Sequence, residues 1–184
     1  GIQHSVMARK GFKTALTRIV PQPLERSTYC LASAIVLALL YLFWHPIPTV
    51  VWDITNPLGR NLVWALFLAG FGIVFISTWL INHFELFGLA QVWRNWRGTP
   101  AHTPVMRMPF FYKLVRHPIY TGFLIAFWSA PTMTVGHLLF AVGMTVYIFI
   151  GIHYEERDLV GLFGKDYEAY RKTVGKVIPG LGRA

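Results

Sequence analysis

Charge is what this chain has least of. Only 14% of its 184 residues are Asp, Glu, Lys or Arg, where a soluble domain carries about a quarter, and 54% are hydrophobic. Such a chain cannot cover a water-facing surface in the ordinary way. Acids are scarcer still: eight against seventeen basic residues give a net charge of +9. Cysteine is nearly absent. Cys30 stands alone inside an apolar run, so an internal disulfide is excluded and the thiol reads as a small packing group. There is no glycine-rich phosphate loop, no Rossmann fingerprint and no Ser-His-Asp order, which removes the soluble nucleotide-binding and hydrolase folds. The seven histidines (4, 45, 83, 102, 117, 137, 153) have no second His or Cys at a ligand spacing, so no metal is expected. A cleavable signal peptide and an initiator Met are also lacking. The chain opens at Gly1-Ile2-Gln3-His4, as though it were the later part of a longer reading frame.

The basic residues that are present are bunched. Residues 1–27 carry five, 94–117 five and 153–184 six, with one at Arg60 and none over 28–59, 61–93 or 118–152. A nucleic-acid-binding surface would gather them on one folded face. Confinement between apolar runs is instead the positive-inside pattern of a membrane protein. No nucleic acid is expected as a partner; membrane lipid is.

The length allows a single domain over residues 1–184, and the way the chain opens leads us to expect further spans before Gly1. Residues 1–20 read as an interfacial helix or loop, with Phe12, Leu16 and Ile19 at helical spacing before Pro21 and Pro23. The first span is expected from Thr28 to Trp44 and the second from Asn61 to Ile81, each near the roughly 20 residues a bilayer needs. In the second span Ala65, Ala69 and Gly72 form a smooth stripe where another helix could approach. His83 to Trp96 reads as interfacial, and 98–109 as a Pro/Gly/Thr-rich loop. Pro118 to Ala130 and His137 to Ile152 make a short apolar hairpin broken at Pro131-Thr132, followed by a cytoplasmic helix from His153 to Val174 that Gly164 can bend or break. The expected fold is thus all-α and polytopic. It has about four crossings, with loop 45–60 and turn 131–136 outside and all three basic clusters in the cytoplasm.

Two groups of ionisable residues flank the hairpin: Arg116-His117 before Pro118, and Glu155-Glu156-Arg157-Asp158 after it. Ionisable residues beside a bilayer core are costly and mark functional sites by default. Pro118 suits the first helical position, and a helix N-terminus beside Arg116 and His117 makes an anion-binding corner. Glu155 and Glu156 lie outside the positive-inside rule, and they can hold an ammonium. Together the two groups suit a zwitterionic, amino-acid-like ligand. Tyr120, Tyr167 and Tyr170 offer ring faces to a sulfonium or ammonium, and Gly122 permits close approach of a flat ligand. A plainer reading remains beside this one. Arg116 and His117 can be ordinary interfacial anchors, the acids a solvated helix segment, and the tyrosines simple packing.

Read together, Arg116-His117-Pro118-x-Tyr120-x-Gly122, Glu155-Glu156-x-x-Leu159 and Phe163-Gly164-x-x-Tyr167-x-x-Tyr170 resemble the membrane methyltransferase superfamily of isoprenylcysteine carboxyl methyltransferases and phospholipid methyltransferases. Four further segments are similar to one branch, the bacterial methanethiol S-methyltransferases: Gln3 to Arg9, Gln22 to Ser27, Asn82 to Gly88 and Pro131 to His137. The resemblance then covers essentially the whole chain. It implies a multi-pass enzyme of the bacterial inner membrane that methylates a small thiol with S-adenosylmethionine. The cofactor half would be about 110–184, with Arg116, His117, Tyr120, Gly122, Glu155, Glu156, Tyr167 and Tyr170 as cofactor residues. His83, Arg116 and His117 are the candidates for activating the thiol. Two other readings stay open: a methyltransferase for a lipid-borne acceptor such as a prenylcysteine carboxylate or phospholipid amine, and a non-catalytic membrane relative.

Overall fold

The structure is a computed structural model describing residues 1–100 and 105–183; His102 and the middle of the expected 98–109 loop lie outside the described residues. In chain order the helices are α1 (Ile2–Met7), α2 (Lys10–Leu16), α3 (Glu25–Leu42), α4 (Pro57–Leu80), α5 (His83–Leu86), α6 (Leu89–Trp96), α7 (Pro118–Trp128), α8 (Val135–Phe163) and α9 (Lys165–Thr173). Two short strands, β1 (Val50–Asp53) and β2 (Thr132–Thr134), pair antiparallel. Three of the helices are long and apolar enough to cross a membrane, and α7 is a shorter apolar helix. This is an all-α, multi-pass membrane protein. Its long helices leave large apolar side chains such as Leu37, Leu40, Leu66, Phe75 and Ile150 exposed, as lipid-facing surfaces do.

The chain divides into two compact units, residues 1–45 with 82–105 and residues 46–81 with 106–184. In the first unit, the start of α3 is tied to the α5–α6 corner. Arg26 Nε donates to Leu86 O at 2.6 Å and Ser27 Oγ to Phe87 O at 3.3 Å. The Gln22–Ser27 and Asn82–Gly88 segments, far apart in sequence, therefore meet. Asn82 takes a left-handed φ of 82° and caps α5, its side-chain oxygen accepting from Glu85 N at 3.2 Å. Arg94 pairs with Glu85 at 2.9 Å. Trp93 and Trp96 are exposed on α6, with the Arg97 guanidinium 4.8 Å from the Trp93 ring centre.

In the second unit α4 and α7 pack backbone to backbone. A Cβ on Gly70 would lie 2.7 Å from Gly122 O and from Ala126 N, while one on Gly72 would meet nothing within 4 Å. The expected Ala65–Ala69–Gly72 stripe is therefore offset from the real contact. Ala65 and Ala69 are exposed, and the buried face runs through Gly70 and Ser77. Small residues show where a helix can be approached, not which side its neighbour takes.

At the other end of α7, Val50 pairs with Thr134 and Asp53 with Thr132. The Thr132 hydroxyl donates to Asp53 Oδ1 at 2.6 Å and the Trp52 indole to Ala130 O at 3.0 Å. Loop 45–60 and turn 131–136 are thus joined at one end of the hairpin. Helix boundaries also shift. α4 begins at Pro57 with Asn56 as its cap. α8 does not stop where the apolar run stops at Ile152 but continues for 29 residues to Phe163, because His-Tyr-Glu-Glu-Arg-Asp has no helix breaker. It ends at Gly164, where φ reaches +56° and α9 starts.

Candidate active site

The polar cluster forms where both arms of the hairpin return to the same end. Residues 115–117 run parallel to the C-terminal segment: Val115 bridges Gly175, Arg116 N donates to Gly175 O at 2.8 Å, and His117 N to Lys176 O at 3.1 Å. Gly175 has no room for a side chain, since a Cβ would fall 2.2 Å from Ile178 O and 2.7 Å from Gly180 N. Beyond it the chain turns back, with Lys176 N donating to Leu181 O at 2.7 Å. His117 then becomes the N-cap of α7, with Pro118 at its first position.

Arg116 is fully buried in its side chain. A guanidinium carries its N–H donors on three nitrogens, and here each nitrogen has a protein acceptor. Nε donates to Glu156 Oε1 at 2.9 Å, and Nη2 reaches Glu156 Oε1 at 2.8 Å and Gly182 O at 3.0 Å. Nη1 donates to Arg171 O at 2.9 Å and Val174 O at 2.6 Å. Glu156, 5% exposed on α8, also lies 3.2 Å from His117 Nε2. The cation–imidazole pair and the carboxylate, which the sequence places on either side of the hairpin, thus meet as one buried ion cluster rather than as two open grips.

Glu155 differs from its neighbour. Its side chain is 44% exposed and its Oε2 is 3.8 Å from His117 Nδ1, which leaves it carboxylate surface open to a ligand. Adjacent helical positions diverge by about 100°, which is why one acid is buried and the next is not.

The tyrosines close the cluster. The Tyr120 ring is 5.7 Å from that of His117. Tyr167 and Tyr170 are buried on α9, and the Tyr170 hydroxyl donates to Tyr112 O. Burial pushes the Tyr170 phenol up to about 12 and raises those of Tyr112 and Tyr167 as well, so all three stay protonated donors near neutrality. On α9 two buried donors have no hydrogen-bond partner among the described residues: Tyr167 OH and Arg171 Nε. Arg171 escaped the sequence reading. The available signal was its place four residues after Tyr167, on the same helical face.

Gly122 is buried, and the close approach it permits is taken by α4, with a Cβ falling 2.5 Å from Gly70 O. His83 belongs to the first unit, at the start of α5, its ring 4.8 Å from that of Phe87. Among the described residues no group of three or more His, Cys, Asp or Glu is arranged to hold a metal.

Fold and site together define a multi-pass helical membrane protein with a polar, partly unsatisfied corner at one end of an apolar hairpin. The chain is 53% identical to a methanethiol S-methyltransferase from a Pseudomonas species, over 96% of its own length and 68% of the relative's. It is 51% identical to one from Mycobacterium tuberculosis, over 97% and 73%. A more distant likeness, 28% identity over 85% of this chain and 63% of the other, is to nurim from Bos taurus. No protein-family model and no solved structure matches the chain. The protein belongs to the methanethiol S-methyltransferase family and is a methyltransferase.

Proposed function

We propose that the chain transfers a methyl group from S-adenosylmethionine to methanethiol, giving dimethyl sulfide, as a multi-pass protein of a bacterial inner membrane. The observation that carries this reading is identity above 50% over nearly the whole chain to relatives named for that substrate. The corner's own chemistry fits the donor. Glu155 supplies an exposed carboxylate for an ammonium, Tyr120 a ring face for a cation, and the orphaned donors of α9 suit an anionic oxygen.

S-adenosylmethionine supplies an already activated methyl group, so the protein's tasks are alignment, exclusion of water and delivery of a thiolate. Glu155 takes the ammonium in this reading. Arg116, which donates to Glu156 and to backbone carbonyls, and Glu156, held by Arg116 and His117, act as positioning residues that fix His117 and the C-terminal turn beside it. Tyr120, His117 and the buried Tyr167 and Tyr170 wall the donor's pocket. Gly122 acts one step back, letting α7 seat against α4. His83 and His117 are the imidazoles available to orient or deprotonate the thiol, which reacts as thiolate.

The test is direct. Purified protein in detergent, supplied with S-adenosylmethionine and an acceptor, is assayed for methylated product against methanethiol, a farnesylcysteine analogue and phosphatidylethanolamine. Saturable formation of dimethyl sulfide is expected. Methylation of the lipid-borne acceptors alone would overturn the substrate, and absence of saturable S-adenosylhomocysteine binding would overturn the enzyme.

A further inference from the structure

We propose that Arg171 and Tyr167, not Arg116, form the subsite for the carboxylate of the donor's amino-acid moiety; this rests on the reading that the donor is S-adenosylmethionine. Arg116 is the cation a sequence would choose, but its three nitrogens are all engaged by Glu156 and the carbonyls of Arg171, Val174 and Gly182. Binding a ligand carboxylate there would first require breaking bonds to a buried acid and to the C-terminal turn.

Arg171 is in the opposite state. Its Nε is buried without a hydrogen-bond acceptor among the described residues, 3.7 Å from Glu156 Oε2 and so beyond hydrogen-bond range. About a third of its side chain remains exposed, so a ligand can reach it from solvent. One turn earlier on α9, Tyr167 is 4% exposed, and its hydroxyl also lacks a partner. Two unsatisfied donors at i and i+4 share one helical face. Burying a donor without an acceptor is unfavourable, and an incoming oxygen anion relieves both at once. A planar guanidinium edge beside a phenol O–H matches a carboxylate, which accepts on two oxygens.

The local charges permit an anion. Glu156 is a single carboxylate facing two cations, Arg116 at 2.8 Å and Arg171 at 3.7 Å, so the pair of guanidiniums keeps a net positive charge for the ligand, while the exposed Glu155 can serve the ammonium. The phenol keeps its proton because burial raises its pKa. The side chains can also be removed while every hydrogen bond of Arg116 is kept, since Arg171 serves Arg116 through its backbone carbonyl and its side chain meets the cluster only in the 3.7 Å ion pair with Glu156.

The experiment is calorimetric titration of the purified protein with S-adenosylhomocysteine and with its decarboxylated analogue. Wild type should bind the decarboxylated compound about tenfold or more weakly. In Arg171→Met that preference should collapse toward one, and Arg171→Lys should restore part of it. Tyr167→Phe, which deletes an unpartnered oxygen, should melt no lower than wild type yet lose several-fold in S-adenosylhomocysteine affinity. A folded Arg171→Met variant with the wild-type preference would overturn the subsite, as would full affinity in Tyr167→Phe. Equal wild-type binding of both ligands would overturn it while leaving the donor intact. Binding of neither would overturn the donor reading as well.

Discussion

Gly70 on α4 and Gly122 on α7 meet without side chains between them: a Cβ on either would fall within 2.7 Å of the other's carbonyl oxygen. The start of α7 carries Arg116 and His117, so this crossing sets how the ion cluster is held against the rest of its unit. Gly70→Ala or Gly122→Ala should overpack it and lower stability by about 1–3 kcal/mol. Gly72→Ala, with open space at its Cβ, should be neutral or slightly stabilising through helix propensity. Thermal melts of the three variants in one detergent check the contrast; equal melts for Gly70→Ala and Gly72→Ala would refute the crossing.

Arg116→Ala should be far more harmful than a surface arginine substitution. It strands the buried Glu156 carboxylate and frees the carbonyls of Arg171, Val174 and Gly182. Breaking a buried pair from one side costs about 3–5 kcal/mol. Arg116→Lys should recover little, because an ammonium cannot reproduce the planar five-donor fork. Limited proteolysis should show the segment after Thr173 cut sooner in both variants, at a point where the wild type resists.

His83 separates two roles by kinetics. If its imidazole orients or deprotonates the thiol, His83→Ala should turn over more slowly near neutral pH, and the deficit should shrink as methanethiol ionises by itself toward about pH 9.5. A purely structural role would lower the melting temperature and leave the pH profile parallel to wild type. Asn82→Ala is the companion variant. It removes the cap on Glu85 N and forces a left-handed φ on alanine, which should cost about 1–2 kcal/mol of stability with no change in profile shape.

Tyr170 predicts an alkaline limb. Burial raises its phenol to about 12, whereas an unfolded tyrosine titrates near 10, so the folded state holds this proton more tightly. The resulting stability is fully present below about pH 10 and is lost as pH climbs through about 12. Tyr170→Phe should start less stable, having lost the bond to Tyr112 O, and then fall less steeply over that window. Chemical denaturation midpoints measured from about pH 8 to pH 11.5 give the slopes; identical slopes would exclude the phenol as their source.

The lipid-facing character of the chain was written in its composition. Hydropathy and the bunching of Lys and Arg are properties of each segment by itself, and they report the solvent that segment meets. For the same reason the long helices, the break at Gly164 and Pro118 at the head of α7 were legible without a fold. The residues that gather at the hairpin's end were legible too, because a hairpin must bring its two flanks together. What each of them does there was decided only in three dimensions. Arg116 is consumed by the carbonyls of Arg171, Val174 and Gly182, and a carbonyl belongs to every residue type, so no side-chain pattern could announce it. Gly70 rather than Gly72 meets α7 because the choice depends on which side the neighbouring helix occupies. The open donors on Arg171 and Tyr167 are likewise a remainder, visible once every other acceptor nearby has been assigned.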